Sequence, residues 1–438
     1  MMRRHSILRE GFTLFSGNVV AQAITLAAYF IVTRLFTPED IGIYNMFFSY
    51  IEVIIIFSTG KYEMATVLAD DDREAMAVSS YALRLNMMVS LVLILSVVAI
   101  VCLGNSVGTL VLGSSSGMSL TNVAWLMLLI PPMVFFCGTS RVYTFLFNRR
   151  RRFESIAGSD VVGSTVGVVL KVVFGFLSRI ASVWSTLGLP VATVVGKAAS
   201  NLNYAVRLRS LGYPMDITRD ERRAAARKYR NFPLFTMPKD FINSLSANLP
   251  LIWLALYFDK GEVGLFALAL TFVFRPVNIL NNIFEKLLNV RVAEKVRQRE
   301  HVARDIGRFF LVVNLVALPV VVVAFLYGGD IFAFLFGDRW EGCIYYIRCL
   351  LPWTFVALTT TSLMFIFGVF GKQRVEFAFF VVLLFLRVVS MLVGIQSHNF
   401  QIGILLFSVS GAVLYLAVLA YIVVMLRRYE AGVATAAV

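Results

Sequence analysis

FTLFSGNVVAQAITLAAYFIVTRLFTPEDIGIYNMFFSYIEVIIIFSTG, residues 12–60, decides the fold. Two apolar runs, 12–33 and 42–60, flank a short polar turn that holds Arg34, Pro38, Glu39 and Asp40. Each run is long enough to cross a hydrocarbon core of roughly 30 Å as a helix. Lipid offers no partner to backbone amides and carbonyls, so a spanning segment is a helix or part of a closed barrel. Barrel strands are about 10 residues long and alternate in polarity, which these runs do not. The first run continues past twenty residues, holds Gln22 and shows no small-residue cleavage pattern before Arg34. It reads as a true first span rather than a cleavable signal.

Working outward, ten further apolar runs follow, at 82–104, 122–147, 157–178, 183–205, 236–258, 263–284, 309–327, 344–369, 377–395 and 402–426. The expected fold class is all-α: a polytopic membrane protein of about twelve transmembrane helices in two six-helix bundles. Composition agrees. Of 438 residues, 59% are hydrophobic and 15% charged, against about 25% charged in a soluble domain. The chain is not expected to be a soluble enzyme.

The formal charge of +14 would suggest nucleic acid in a soluble protein. Here it follows the membrane. With a cytoplasmic N-terminus, the inner segments hold 29 Lys and Arg and the outer loops hold 4. That bias sets orientation and predicts that both termini and the 206–235 segment are cytoplasmic. No nucleic-acid partner is expected. The run Arg149–Arg152 and the stretch RDERRAAARKYR at 219–230 are explained by topology and attraction to anionic membrane lipids, the latter as a short amphipathic interfacial helix.

The chain also repeats. RLFTPEDIGIYNMFFSY (34–50) aligns on ALYFDKGEVGLFALALTF (255–272) with Gly42 on Gly264, Phe36 on Phe258, Ile41 on Val263 and Tyr44 on Phe266. The expected organisation is an N-terminal six-helix lobe at 1–215, an amphipathic cytoplasmic linker at 216–235 and a C-terminal six-helix lobe at 236–438. Two homologous lobes about a central cleft are a transporter plan.

Charged residues inside the spans are costly in lipid and therefore candidates for function. They are Glu52, Lys171, Lys197, Arg275 and Arg387, with Asn86, Asn248 and Asn314 as polar companions. Each has a structural alternative: Lys197 and Arg387 could snorkel to an interface, Arg275 precedes Pro276 and could satisfy carbonyls freed by a kink, and Glu52 could pair with a basic neighbour. Four of the five are basic, which favours an anionic substrate such as a lipid phosphate or pyrophosphate. Arg275, roughly 18 Å from the start of its run, is the foremost candidate. The outer segment 328–343 reads as an irregular stretch with Trp340 at the membrane interface.

No nucleotide-binding loop, GxSxG or HExxH motif occurs. The three His are scattered (His5, His301, His398), so no metal site is expected. Cys343 and Cys349, six apart, could pair, but buried small hydrophobes are the better reading for the four cysteines.

Several stretches resemble a known family. They are LFSGNVVAQAITLAAYFIVTRLFTPEDIGIYNMFFSY (14–50), TGKYEMATVLADDDREA (59–75), YRNFPLFTMPKDFINSLSANLPLIWLALYFDKGEVGLFALA (229–269), FGDRWEGCIYYIRCLLPWTF (336–355) and FGVFGKQR (367–374). Together they resemble the bacterial oligosaccharide and O-antigen flippases, the polysaccharide transporters of the multidrug/oligosaccharidyl-lipid/polysaccharide superfamily. The resemblance implies two six-helix bundles working by alternating access. It implies a polyprenyl-pyrophosphate-linked glycan as substrate, moved from the cytoplasmic to the periplasmic leaflet of the bacterial inner membrane for lipopolysaccharide, capsule or exopolysaccharide synthesis. Membrane lipids, the polysaccharide polymerase and the chain-length machinery are the implied partners. No cofactor is expected, and whether an ion gradient or the membrane potential drives transport is open. The motif positions carried over are Gly42 in the hairpin and Lys61, Tyr62 and Glu63, with Lys61 where the family has Arg. The alternatives are a multidrug or small-molecule antiporter of the same superfamily, which would want buried carboxylates, and a membrane polymerase or ligase, which would want a larger outer domain.

Overall fold

A computed structural model describes residues 24, 27–102, 120–214, 216–298 and 300–436, with some side chains between 275 and 297 left undescribed. The 12–33 run therefore lies largely outside the described residues, and its last residues, 27–33, are helical. The ordered elements are α1 (Pro38–Ser58), α2 (Asp72–Cys102), α3 (Leu120–Arg149), α4 (Phe153–Leu177), α5 (Val183–Leu208), α6 (Arg219–Lys228), α7 (Met237–Tyr257), α8 (Lys260–Arg297), α9 (Ala303–Phe336), α10 (Cys343–Ser362), α11 (Phe365–Val369), α12 (Gln373–Gln396) and α13 (Phe400–Ala436). The chain is all-α and multi-pass. Among the described residues, eight helical stretches are long and apolar enough to span a membrane: α1, α2, α3, α4, α9, α10 with α11, α12 and α13.

The lipid-facing character is visible side by side with the core. On α2, Met87, Met88, Leu91, Val92 and Leu95 are all exposed, and on α9 so are Leu311, Leu315, Val316 and Val320. A soluble protein does not leave apolar strips of this length open to water.

The chain forms two compact units: Met1–Ser244 with Leu254–Gly264, and Leu245–Trp253 with Leu265–Val438. In the first, α1 starts where the sequence dictates. Thr37 accepts from the Asp40 amide while the Asp40 carboxylate accepts from the Thr37 amide at 3.0 Å, and Pro38 occupies the first turn. Such a reciprocal cap contributes about 1 kcal/mol. Helices α4 and α5 cross closely, because a Cβ on Gly196 would stand 2.7 Å from the Gly163 carbonyl oxygen and 3.0 Å from the Gly167 Cα. Small residues spaced four apart give membrane helices this approach.

One end of the first unit is closed by polar contacts. Its core packs Tyr62, Val78, Leu146, Phe147, Tyr204, Tyr213 and Ala225 together. The linker is a helix, α6, opened by a second reciprocal cap between Thr218 and Glu221. Its Lys228 reaches Asp70 at 2.7 Å and Glu74 at 2.6 Å, and Glu221 pairs with Arg73. The arginine run is not wholly a topological signal. Arg149 donates to the carbonyls of Thr66 (3.2 Å) and Ala69 (2.7 Å), and Arg150 pairs with Asp72 at 2.5 Å.

Two expectations are corrected in the second unit. The 328–343 segment is not irregular throughout, since α9 continues to Phe336 before Gly337 (φ 92°) turns the chain. Gly328 and Gly329 lie against Ile344, close enough that a Cβ on Gly328 would stand 2.9 Å from its Cδ1, so the helix packs rather than unravels. Trp340 is wholly buried in the short 3-10 turn that follows, not exposed at an interface. Cys343 and Cys349 are free and buried, and the Cys343 thiol donates to the Leu265 carbonyl at 3.2 Å.

Candidate functional site

Within the first unit a cavity of about 300 Å³ opens among Phe48, Ile51, Glu52 and Ile55 of α1, Cys137, Ser140, Arg141, Thr144 and Phe145 of α3, Asp160 of α4 and Lys197 of α5. The lining residues fall at i, i+3, i+4 and i+7 on α1 and at i, i+3, i+4, i+7 and i+8 on α3, which places each set on one face of its helix. Four helices thus deliver four ionisable side chains to one hollow: Glu52, Arg141, Asp160 and Lys197.

All four lie nearer the same end of the unit. Counted at 1.5 Å per residue, Glu52, Asp160, Arg141 and Lys197 sit about 9 to 17 Å inside the helix ends at Ser58, Phe153, Arg149 and Leu208. That end carries the arginine run, the 59–71 loop and α6. Asp160 accepts from the Tyr204 hydroxyl at a long 3.5 Å. A buried nitrogen of Arg141, Nη1, has no hydrogen-bond partner. Among the described residues, no ion pair joins Arg141, Asp160 or Lys197 to another side chain.

The predicted residues do not all meet here. Glu52 and Lys197 share the cavity, but Lys171 does not. Its Nζ donates to the Tyr44 hydroxyl at 3.1 Å and lies 4.8 Å from that ring's centroid, beside a cleft of about 10 Å³ lined by Tyr29, Ile41 and Val168. Asn86 is fully buried and binds α2 to α3, donating to the Phe135 carbonyl at 2.9 Å and the Thr139 hydroxyl at 3.1 Å. Asn248 is buried. Asn314 joins α9 to α10 through Thr359 at 3.0 Å.

Arg387 neither snorkels nor faces an open cavity. It is 2% exposed, with its guanidinium carbon 4.5 Å from the Trp353 centroid and 4.4 Å from that of Phe407. Nη1 donates to the Ser246 hydroxyl at 3.0 Å, while Nε has no partner. Two aromatic faces replace water around the cation. The backbone at Arg275 lies within α8, and its side chain lies outside the described residues.

Of the family-like positions, Gly60 and Lys61 have left-handed backbones (φ 58° and 62°). That turn lets Lys61 Nζ reach Asp240 at 2.6 Å. The Tyr62 hydroxyl donates to the Ala226 carbonyl at 3.2 Å, and Glu63 is buried with Oε2 unpartnered. These residues tie the 59–67 loop to the linker helix and the start of α7.

Sequence reasoning missed Arg141 and Asp160. Both fall near the ends of their apolar runs, where charge reads as a boundary. The available signal was the shared helical face of Cys137, Ser140, Arg141 and Thr144.

Comparison with solved structures identifies the fold. The chain has the fold of the lipid II flippase MurJ in an inward closed conformation, with a TM-score of 0.72 at 11% identity over 96% of this chain and 91% of that one. It has a TM-score of 0.65 to an inward-facing multidrug resistance MATE family transporter of the MOP superfamily, at 14% identity over 93% and 95%. A MOP superfamily transporter from Pyrococcus furiosus, described as having a binding pocket of reversed polarity, gives 0.58 at 14% identity over 97% and 96%. The chain shares its fold with these transporters. No curated protein matches the chain. The model of the polysaccharide biosynthesis protein family matches residues 31–345, and the chain belongs to that family.

Proposed function

We propose that the chain moves a polyprenyl-pyrophosphate-linked oligosaccharide from the cytoplasmic to the periplasmic leaflet of a bacterial inner membrane, for lipopolysaccharide, capsule or exopolysaccharide synthesis. In this reading about twelve helices form two six-helix lobes, 1–215 and 236–438, joined by the 216–235 linker, and work by alternating access. The observation that carries it is the cavity of Arg141 and Lys197 inside an apolar helical unit, in a member of a polysaccharide biosynthesis family. Two cations from different helices can hold phosphate oxygens, each charge-assisted contact contributing about 1.5–3 kcal/mol. The prenyl tail stays in lipid of matching polarity, so only the head group needs the polar path.

The test is surface polysaccharide, resolved by gel, in a strain lacking the native gene and with membrane expression quantified. Arg141→Gln with Lys197→Gln is expected to abolish export at normal expression. Arg275→Ala belongs in the same assay as a second proposed phosphate contact. Full export from the Arg141→Gln, Lys197→Gln protein would overturn the reading of the cavity.

A second reading has its own observation. Glu52 and Asp160 give the cavity as many acids as bases, so cavity charge no longer argues against a cation exporter. Under that reading the chain would confer resistance to cationic drugs, and loss of Glu52 and Asp160 would remove it. The family membership favours the glycan.

A further inference from the structure

In the second unit, α9 and α10 touch near both ends and part between them. Asn314 joins Thr359 at 3.0 Å toward one end, and Gly328 and Gly329 lie on Ile344 toward the other. Between these contacts runs a groove of about 280 Å³ with apolar walls, Leu318, Val322 and Phe325 of α9 and Leu351, Pro352 and Phe355 of α10 among them. Pro319 and Pro352 stand inside the two helices at this level. A proline inside a helix removes one bond of the ladder and bends it, which gives the helices a reason to part. Leu318, Val322 and Phe325 are exposed and continue the strip of Leu311 and Leu315, so the groove opens on the lipid side. Its walls lack dispersion partners until a chain fills it.

One cation marks the end of the groove. Arg348 precedes Leu351, Pro352 and Phe355 by three, four and seven residues, so it shares their face of α10. It is exposed, yet it does not stretch toward the end of the helix pair. Its Nε donates to the Phe325 carbonyl at 3.0 Å, and its guanidinium carbon lies 5.6 Å from that ring's centroid. Phe325 is 336 − 325 = 11 residues, or about 16 Å, short of the end of α9 at Phe336. The side chain therefore turns across the groove, inside the apolar run. Among the described residues no Asp or Glu pairs with it. A cation at membrane depth is costly without a partner.

We infer that the groove and Arg348 form a site for one anionic phospholipid of the bilayer, with an acyl chain between α9 and α10 and the phosphodiester on the guanidinium. The planar fork of Arg matches phosphate oxygens. One cation with no acid beside it balances a lipid of one net negative charge. A zwitterionic lipid brings an ammonium that nothing here receives, and a pyrophosphate lipid brings more charge than one arginine balances. The orientation rule puts this end of α10 outside, so the lipid belongs to the outer leaflet. The inference rests on the membrane-spanning fold and not on what the chain transports.

The experiment reads which lipid chains lie at the groove. The full-length protein, with its native cysteines replaced, is reconstituted in vesicles of phosphatidylethanolamine and phosphatidylglycerol, with bromine on the chains of one lipid at a time. A fluorescent thiol label on Val323→Cys, exposed beside the groove, reports quenching there, and the same label on Leu91→Cys reports it on the exposed strip of α2. Phosphatidylglycerol is expected to quench the 323 label as though enriched about tenfold, the scale of one charge-assisted contact, and to show no enrichment at 91. Arg348→Gln is expected to remove the enrichment at 323, and Arg348→Lys to keep part of it. Equal quenching by the two lipids at 323, with Arg348 in place, would overturn the inference. So would equal enrichment at 91, which would make it a property of the whole surface. An enrichment that survives Arg348→Gln, in protein that melts normally, would also overturn it. Farnesyl phosphate that relieves the quenching at a tenth of the phosphatidylglycerol fraction would give the site to a prenyl lipid instead. The comparison with Arg348 in place decides the matter even where a variant fails to fold.

Discussion

Gly42 and Gly264, the two positions that the internal repeat aligns, lie against each other: a Cβ built on Gly42 would stand 3.0 Å from the Gly264 amide nitrogen. The same atom would collide with the Lys260 carbonyl oxygen, and a Cβ on Gly264 would collide with that of Pro38. Both clashes are with backbone, which cannot rotate away. Gly264→Ala is therefore expected to cost about 1–3 kcal/mol through overpacking. Thermal unfolding of the purified protein in detergent checks this. A melting temperature unchanged from the native value would show that the contact is slack.

Arg387 is expected to behave as a packing residue. Arg387→Ala removes a cation held between Trp353 and Phe407 and should destabilise the protein by about 2 kcal/mol. Arg387→Lys is not expected to rescue it, because an ammonium cannot lie flat between two rings. The same unfolding assay reads both. Normal melting with lost glycan export would mean instead that the arginine meets substrate.

The linker helix is expected to loosen in acid. The side-chain hydrogen bond from Arg73, helped by the Thr218 amide, lowers the Glu221 carboxyl from 4.5 to about 2. A depressed acid contributes stability above its ordinary value and loses that contribution as the pH falls from 4.5 toward 2. Asp70 is lowered too, chiefly by the hydrogen bond from Lys228, whose own pKa is raised by Asp70 and Glu74. Amide-exchange protection of 219–228 should fall across that window, and Arg73→Gln should lower it already at pH 7. Protection independent of both would show that the buried Ala225 and Ala226 hold the helix alone.

Orientation is tested at Ala224. It is exposed, whereas its neighbour Ala225 is 4% exposed and unsuited to labelling. In a background with Cys102, Cys137, Cys343 and Cys349 replaced, a cysteine at 224 should react with an impermeant maleimide only after permeabilisation. Labelling on intact cells would invert the topology.

Much of this protein is determined locally and is legible without coordinates. A helix satisfies its own amides, so an apolar run of sufficient length needs no knowledge of its neighbours to be a span. Thr37 and Asp40, or Thr218 and Glu221, sit three apart and mark helix starts for the same reason. Where the helices run was therefore readable for α1, α3, α4, α5 and α12, whereas α2 begins at Asp72, ten residues before the apolar run at 82–104. The linker helix at Arg219–Lys228 was readable as well.

What the tertiary structure decided is which faces meet. Lys171 and Lys197 look alike as single lysines in apolar runs, yet one lies on Tyr44 and the other opens into the charged cavity. Arg387 looked like a ligand contact and is enclosed by two rings. Arg141 and Asp160 looked like span ends and line the site. Depth along a helix follows from counting residues, but the direction a side chain faces acquires meaning only from the helix packed opposite. That packing is set by small residues such as Gly163, Gly167 and Gly196 and by contacts across more than a hundred residues, such as Lys171 with Tyr44. No local pattern encodes it, because the free energy that selects one face over another belongs to the pair of helices and to neither alone.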